Sequence, residues 1–281
     1  MANPIEIVYS WNSIKQQDEE QDSQNVLMVN ISPLYPVHFL VIPRINILKP
    51  QYLDSNIYLV DVMELYSKLD VPDNYFIGYN SVGASSTINH LHFQIFNKRL
   101  MESQTYTGNN IANTTSSQLY LENVKTIQII DNEFFPIGVY HKELLNGFCI
   151  TPTTSLSSLS LQDLELLSLT AYKIINLLNH HQQPYNLVLT NSKIHIIPRQ
   201  PDGLIDKDIL STAFLELYGA LIIKSEYVWN EITKDMREDE IFVDRKSYGY
   251  QVLNLEILQR IQSKVCLQEE IFQQYVKELL Q

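Results

Sequence analysis

"GYNSVGASSTINHLHFQIFN", residues 78–97, sets His90, His92 and Gln94 at every second position, with Leu91, Phe93 and Ile95 between them. On an extended strand, alternate side chains point to opposite faces. The spacing predicts a strand whose one face carries two imidazoles and an amide while the other is anchored in a core. The chain has seven histidines in all, so two at i and i+2 beside a glutamine is a concentration of chemistry. Just ahead, "NSVGASST" (80–87) reads as a small-residue turn with backbone N–H groups around Gly83 and hydroxyls at Ser85, Ser86 and Thr87.

Upstream, "IEIVYSW" and "VLMVNIS" read as strands on either side of a polar surface loop, "IKQQDEEQDSQN" (14–25). A turn at Pro33 to Pro36 leads into a strand from about His38 to Ile42, ended by Pro43. Residues 54–69 read as a helix, because Leu59, Val62, Met63, Tyr66 and Leu69 recur at spacings of three and four. "YFIGYNS" is then a short strand leading into the opening stretch. Residues 98–125 are rich in Ser, Thr, Asn and Gln without clear periodicity, and read as a long variable loop.

Downstream the pattern restarts. "NGFCITP" is a strand ending at Pro152, and Ser160 with Asp163 fits a capping box. That box opens a helix, 161–179, with an apolar stripe through Leu164, Leu167, Ala171, Ile174, Ile175 and Leu178. "YNLVLTNSKIHIIPR" supplies two strands around a turn at Asn191 and Ser192. Each half therefore runs strand, helix, strand, turn, strand, which reads as a duplicated α+β unit with one site kept and one lost. This alignment sets His195 opposite His92 and Ile197 opposite Gln94. The expected organisation is an active half over 1–99, a variable loop over 100–125, a degenerate half over 126–246 and a helical tail over 247–281. The amphipathic stretch 255–280 is expected to dock on the core.

The chain of 281 residues is 45% apolar, enough for a sizeable core. Asp and Glu number 32 against 20 Lys and Arg, a formal charge of −12, which argues against a nucleic-acid or anionic-membrane partner. A phosphorylated small molecule remains compatible, since a local site can be rich in donors on an acidic protein. Cys149 and Cys266 lack C-x-x-C spacing, so they read as two reduced thiols. The start shows no signal-peptide pattern and no window reaches membrane-span length, so a soluble, cytoplasmic protein is expected.

Three readings compete for the two histidines. They could be core residues with satisfied hydrogen bonds. They could ligate zinc or copper, with His38 or His141 folding in as a third ligand, although Gln94 is a poor one. Or one could be a nucleophile. Imidazole has an ordinary pKa of about 6.5, is neutral near pH 7, and attacks phosphorus without a separate base. Displacement at phosphorus rearranges charge on the phosphoryl oxygens, which need donors, and Gln94 offers an amide two residues away.

"HLHFQIF" resembles the His-φ-His-φ-Gln-φ-φ form of the histidine triad superfamily, φ being apolar, with glutamine in the third place as in the transferase branches. "VNISPLYPVHFLVIPR", "GYNSVGASSTINHLHFQ", "PYNLVLTNSKIHIIPR" and "ELYGALIIKSE" follow the order seen in the GDP-hexose phosphorylases, across roughly residues 26–245. The resemblance implies an α+β, histidine-triad-like fold of two pseudo-repeated antiparallel-sheet-plus-helix halves, the second degenerate, with a helical C-terminal tail. It implies a nucleotidyltransferase that cleaves a GDP-hexose with inorganic phosphate, His92 being the nucleophile. Gln94 would hold the nucleotidyl phosphate and His90 would orient the site. Asn80, Gly83, Ser85, Ser86 and Asn89 would line the phosphate region, with His38 and Arg44 as further substrate contacts or as supports of the sheet. No metal or other cofactor is implied.

The chain departs from the family at Val37, where glycine is usual, and at Ser85, where an aromatic residue is usual. His195 replaces an apolar residue and reads as structural. The alternatives are another nucleotide phosphorylase or transferase, acting on diadenosine tetraphosphate or a UDP-sugar, and a nucleotide-binding relative without turnover. The oligomeric state is open, a homodimer being one option.

Overall fold

Strands rich in Val, Ile, Phe and Tyr dominate the computed structural model, which describes residues 7–13, 24–35, 37–105, 120–140, 145–201, 212–219, 221–223, 244–246, 249–252 and 265–281. Ten of them, numbered in chain order, form one antiparallel sheet: β1 (Ile7–Asn12), β2 (Gln24–Val29), β3 (His38–Ile42), β4 (Tyr75–Asn80), β5 (Phe93–Asn97), β6 (Thr126–Ile130), β7 (Ile137–Tyr140), β8 (Phe148–Ile150), β9 (Tyr185–Thr190) and β10 (Ile194–Pro198). Their order across the sheet is β1-β2-β3-β5-β4-β9-β10-β8-β7-β6.

The centre of that order, β3-β5-β4 facing β9-β10-β8, is the expected duplication laid out about a seam between β4 and β9. Phe76 pairs with Thr190, Gly78 with Val188 and Asn80 with Asn186, so the seam is symmetric about Gly78 and Val188. The register corrects the alignment of the halves. Gln94 lies between Gly78 and Leu40, and His195 lies between Val188 and Cys149. His195 therefore holds the rung of Gln94, not of His92, and Ile197 that of Phe96. A slip of two residues keeps every side chain on its face, so apolar alternation alone could not reveal it.

One face of the sheet is covered by α1 (Ile57–Met63), α3 (Leu161–His180) and α5 (Glu269–Leu279). Val41, Ile77, Tyr79, Phe93, Ile95, Leu187, Leu189, Ile194 and Ile196 pack there against Leu59, Val62, Leu167, Ala171, Ile174 and Leu178. Both bonds of the Ser160–Asp163 capping box are present at the start of α3. Of the stretch expected to dock, α5 buries Phe272, Tyr275 and Val276, and residues 255–264 lie outside the described residues. Residues 54–69 are only partly α-helical: α1 spans Ile57–Met63, and Glu64–Lys68 tightens into a 3₁₀ turn.

The opposite face carries a second cluster in which Phe76, Phe96, Val188 and Ile197 meet Met101, Phe214, Leu217 and Tyr218. Its cover includes α2 (Lys98–Thr105) and α4 (Phe214–Tyr218). The start of the expected variable loop is thus a helix, with Met101 buried; residues 106–119 lie outside the described residues. Gly78 is required here, because a Cβ on it would sit 1.9 Å from the Phe214 ring. A three-stranded antiparallel sheet of β11 (Leu221–Ile223), β12 (Asp244–Lys246) and β13 (Gly249–Val252) follows, and its β13 falls within the stretch expected to be a helical tail. Both cysteines are free, and no helix among the described residues is long and apolar enough to cross a membrane.

Candidate active site

Strand β5 begins only at Phe93, so His90, at a bend, and His92 sit on an irregular lead-in just before it. Something must replace the missing ladder partners. The segment Lys49–Gln51 does so. The Leu91 N–H donates to the Lys49 carbonyl at 2.8 Å, and the Gln51 N–H donates to Asn89 Oδ1 at 3.1 Å. The Gln51 side chain completes the bridge. Its Oε1 accepts from the His92 N–H at 2.9 Å, while its amide nitrogen donates to the carbonyls of His92 (3.2 Å) and Asn80 (2.9 Å). Gln51 is buried, and no periodicity or motif in "KPQY" marked it.

Leu91 and Phe93 are buried in the helix-covered core, which leaves the half-buried His92 on the opposite side. His92 Nδ1 lies 2.8 Å from the His90 carbonyl oxygen. A carbonyl only accepts, so the proton is on Nδ1 and Nε2 carries the lone pair. Among the described residues nothing else occupies Nε2. Burial pushes the His92 pKa down, helped by the neighbouring charge of His90 and opposed by the bond to the His90 carbonyl. The ring is therefore neutral near pH 7. His90 is half-buried, and burial lowers its pKa as well.

Gln94 follows on the same side. Its Oε1 lies 2.8 Å from Nε2 of His38, which opens the neighbouring strand β3. The other His38 nitrogen, Nδ1, accepts from the Leu34 N–H at 3.0 Å. Both ring nitrogens are thus occupied within the protein, so His38 has none left for a substrate. His38 also stacks on Phe96, with centroids 4.1 Å apart.

The remaining residues divide. Gly83 (φ +79°) and Ser85 (φ +66°) wind the turn through left-handed conformations, and Ser85 Oγ donates to the Thr212 carbonyl at 2.8 Å. The Ser86 hydroxyl donates to the Ile88 carbonyl at 3.3 Å, and exposed Asn89 keeps its Nδ2 unengaged among the described residues. Asn80 is buried, and its Oδ1 accepts from Asn186 Nδ2 (2.7 Å) and the Phe214 N–H (2.9 Å), linking the two halves. Arg44 is turned into the interior, where its Nε meets Asp61 Oδ2 at 3.0 Å and a terminal nitrogen donates to Ser13 Oγ at 2.7 Å. The structure brings His90, His92 and Gln94 together with His38 and Gln51, and places Arg44 in a buried ion pair. Removing one partner of such a pair strands the other charge, which accounts for an arginine at that position. Among the described residues no three His, Cys, Asp or Glu side chains converge as a metal-ligand set, and His141 lies outside them.

Residues 4–96 match the model of the GDPGP1-like N-terminal domain, and residues 89–242 match that of the ATP adenylyltransferase C-terminal domain. GDP-L-galactose phosphorylases 2 and 1 of Arabidopsis thaliana are 40% and 39% identical to the chain over 79 residues. That stretch is 28% of this chain and only 18% and 17% of the two relatives. Yeast Ap4A phosphorylase Apa2, solved with Ap4A, is similar in fold, with a TM-score of 0.54 and 15% identity over 75% of this chain and 69% of that one. With a triad motif at the centre of a duplicated antiparallel sheet, and a family model spanning more than half its length, the chain belongs to the ATP adenylyltransferase C-terminal domain family, of histidine-triad-like fold, and its residues 4–96 are similar to the GDPGP1-like N-terminal domain.

Proposed function

We propose that the chain is a nucleotidyltransferase of the phosphorylase type, working through a covalent intermediate on His92. The observation that carries this reading is the 2.8 Å bond from His92 Nδ1–H to the His90 carbonyl, which presents a neutral Nε2 lone pair away from the core. That lone pair attacks the α-phosphorus of a nucleoside-diphosphate hexose. The Nε2–P bond forms as the bridging P–O bond breaks, and hexose 1-phosphate leaves. The imidazole becomes positive, and its Nδ1–H stays on the His90 carbonyl, which stabilises that charge. The Gln94 amide donates to a phosphoryl oxygen. An oxygen of inorganic phosphate then attacks the same phosphorus, the N–P bond breaks, and a nucleoside diphosphate is released.

The base proposed is guanine and the sugar a hexose, supported by the local identity to GDP-L-galactose phosphorylases. His92 is the nucleophile, and Gln94 holds the phosphate. His90 positions the ring, and Gly83, Ser86 and Asn89 border the phosphate region. Asn80, Ser85 and Arg44 support the scaffold.

The test uses GDP-hexose, UDP-hexose, ADP-glucose and Ap4A, each labelled at the α-phosphorus. Wild-type protein is expected to gain an acid-labile, base-stable label from GDP-hexose, and His92→Ala none. One equivalent of hexose 1-phosphate should accompany labelling without phosphate, and release beyond that equivalent only on addition of phosphate identifies phosphorolysis. Preferential labelling by another nucleotide would replace guanine. Saturable binding of every nucleotide with no covalent label would overturn the enzymatic reading.

A further inference from the structure

His38 holds a position in the site that the reaction above leaves without a task. Its two ring nitrogens face groups of unequal freedom. The Leu34 N–H at 3.0 Å is a backbone donor and cannot be reversed. It requires Nδ1 to be an acceptor. A neutral imidazole carries one proton, and burial lowers the His38 pKa to about 4, so near pH 7 that proton is on Nε2. Nε2 therefore donates, and the Gln94 atom 2.8 Å away must be the amide oxygen. Glutamine oxygen and nitrogen are otherwise interchangeable in shape; here the chain of donors decides. The Asn30 amide nitrogen, 3.1 Å from Nε2 and 3.5 Å from Nδ1, cannot bond to a protonated Nε2. Asn30 is half-buried, and its Oδ1 already accepts from the Ser32 N–H at 2.9 Å.

We propose that His38 is a positioning residue that acts through Gln94, holding the amide oxygen back so that the amide nitrogen is the atom presented to the phosphoryl group. The polarity then runs from the Leu34 N–H through the imidazole and the amide to the phosphate oxygen, each donor meeting an acceptor. Reversal of the amide would aim an oxygen at an anion. The other half of the sheet carries a parallel arrangement. His195 occupies the rung of Gln94, Tyr140 Oη lies 3.0 Å from its Nδ1, and the Tyr140 ring covers Gly147, the counterpart of His38 in the register of β8 with β10. The rung is met by a side chain from the adjacent strand β3 in the first half and from β7, the next strand but one, in the second.

The proposal rests on the reading of His92 as nucleophile, and its test separates the two. Single-turnover labelling of His92 is measured in wild type, His38→Ala, Gln94→Ala and the double variant. Loss of one well-aimed donor costs about 100-fold or more in rate, so Gln94→Ala sets the floor. His38→Ala is expected to slow labelling by about 10-fold, in kcat more than in KM. On top of Gln94→Ala it is expected to add less than about 2-fold, because residues acting as one unit are not additive. His38→Gln, whose amide nitrogen reaches the same oxygen, should recover most of the His38→Ala loss, and it serves where the alanine variant does not fold.

Equal costs of His38→Ala with and without Gln94 would overturn the proposal, as would no cost at all or no recovery in His38→Gln. If wild type takes no label from any nucleotide, the catalytic reading fails, and ¹⁵N NMR of the resting protein still decides this one. Protonated Nε2 on His38, and a Gln94 amide that loses order in His38→Ala, are expected. A proton on Nδ1 would overturn it.

Discussion

At the scale of the residue, the proposed chemistry depends on which nitrogen of His92 is bare and whether it stays bare as the pH falls. The His90 carbonyl fixes the first by holding Nδ1–H at 2.8 Å. Half-burial governs the second, because removing water from around an imidazole penalises its charged form, and the neighbouring His90 charge adds to this. The bond to the His90 carbonyl opposes both; it is smaller than the effect of burial, which sets the direction. The protonated ring has no lone pair for phosphorus, so labelling should rise with pH and level off once the ring is neutral. With the pKa below its ordinary 6.5, the half-maximal point of the single-turnover rate is expected below pH 6.5. A midpoint at or above that pH, with substrate saturating, would contradict the burial argument. The same dependence should be absent from nucleotide binding measured with His92→Ala.

At the scale of the element, the unusual feature is that the reactive lead-in to β5 is not held by a strand. Where the pairing of β4 with β5 stops at Gly78 and Gln94, one side chain, Gln51, takes three main-chain bonds in its place. Gln51→Met keeps the volume and loses all three, leaving the buried His92 N–H and two carbonyls to find other partners. The expected cost is about 2–4 kcal/mol in a denaturant melt, from roughly 1–3 kcal/mol per unsatisfied buried group with partial relaxation. Labelling of His92 should slow by at least 10-fold in the fraction that remains folded. A variant with wild-type melt and wild-type rate would show that the lead-in holds its own shape. Gln51 also marks the limit of what the sequence could reveal. Alternation exposed β3, β4, β9 and β10, and capping chemistry exposed the start of α3, because each signal lies within a few residues of its cause. A glutamine that bonds a chain 41 positions away leaves no such trace, nor does the ion pair that turns Arg44 inward to Asp61. His38 was visible as a candidate through its strand, but its engagement with Gln94 depends on the pairing of β3 with β5 across 56 positions.

At the scale of the whole molecule, the duplication gives one sheet two related polar rungs in different surroundings. Gln94 is half-buried at the site, whereas His195 is 1% exposed, with Nε2 unpartnered among the described residues and its pKa lowered to about 3 by burial. The rung that lost its site kept a titratable ring and enclosed it. His38 is similar, lowered to about 4, with burial again the largest cause. In the unfolded chain both return to about 6.5. Between pH 6.5 and the folded values the unfolded state binds more protons, and stability rises with pH wherever that holds. The contribution of these neutral rings is therefore fully present above pH 6.5 and lost progressively as the pH falls toward about 4 for His38 and about 3 for His195. The combined loss by pH 4 is on the order of several kcal/mol, at about 1.4 kcal/mol per pKa unit, comparable with the whole stability of many domains. Denaturant midpoints should fall steeply from pH 6.5 to pH 4.5. His195→Gln, which copies the first half's residue onto the second half's rung and leaves Tyr140 a polar neighbour, should flatten that fall by about one proton's slope. An unchanged slope in this variant would mean that the enclosed ring already takes up its proton in the folded protein.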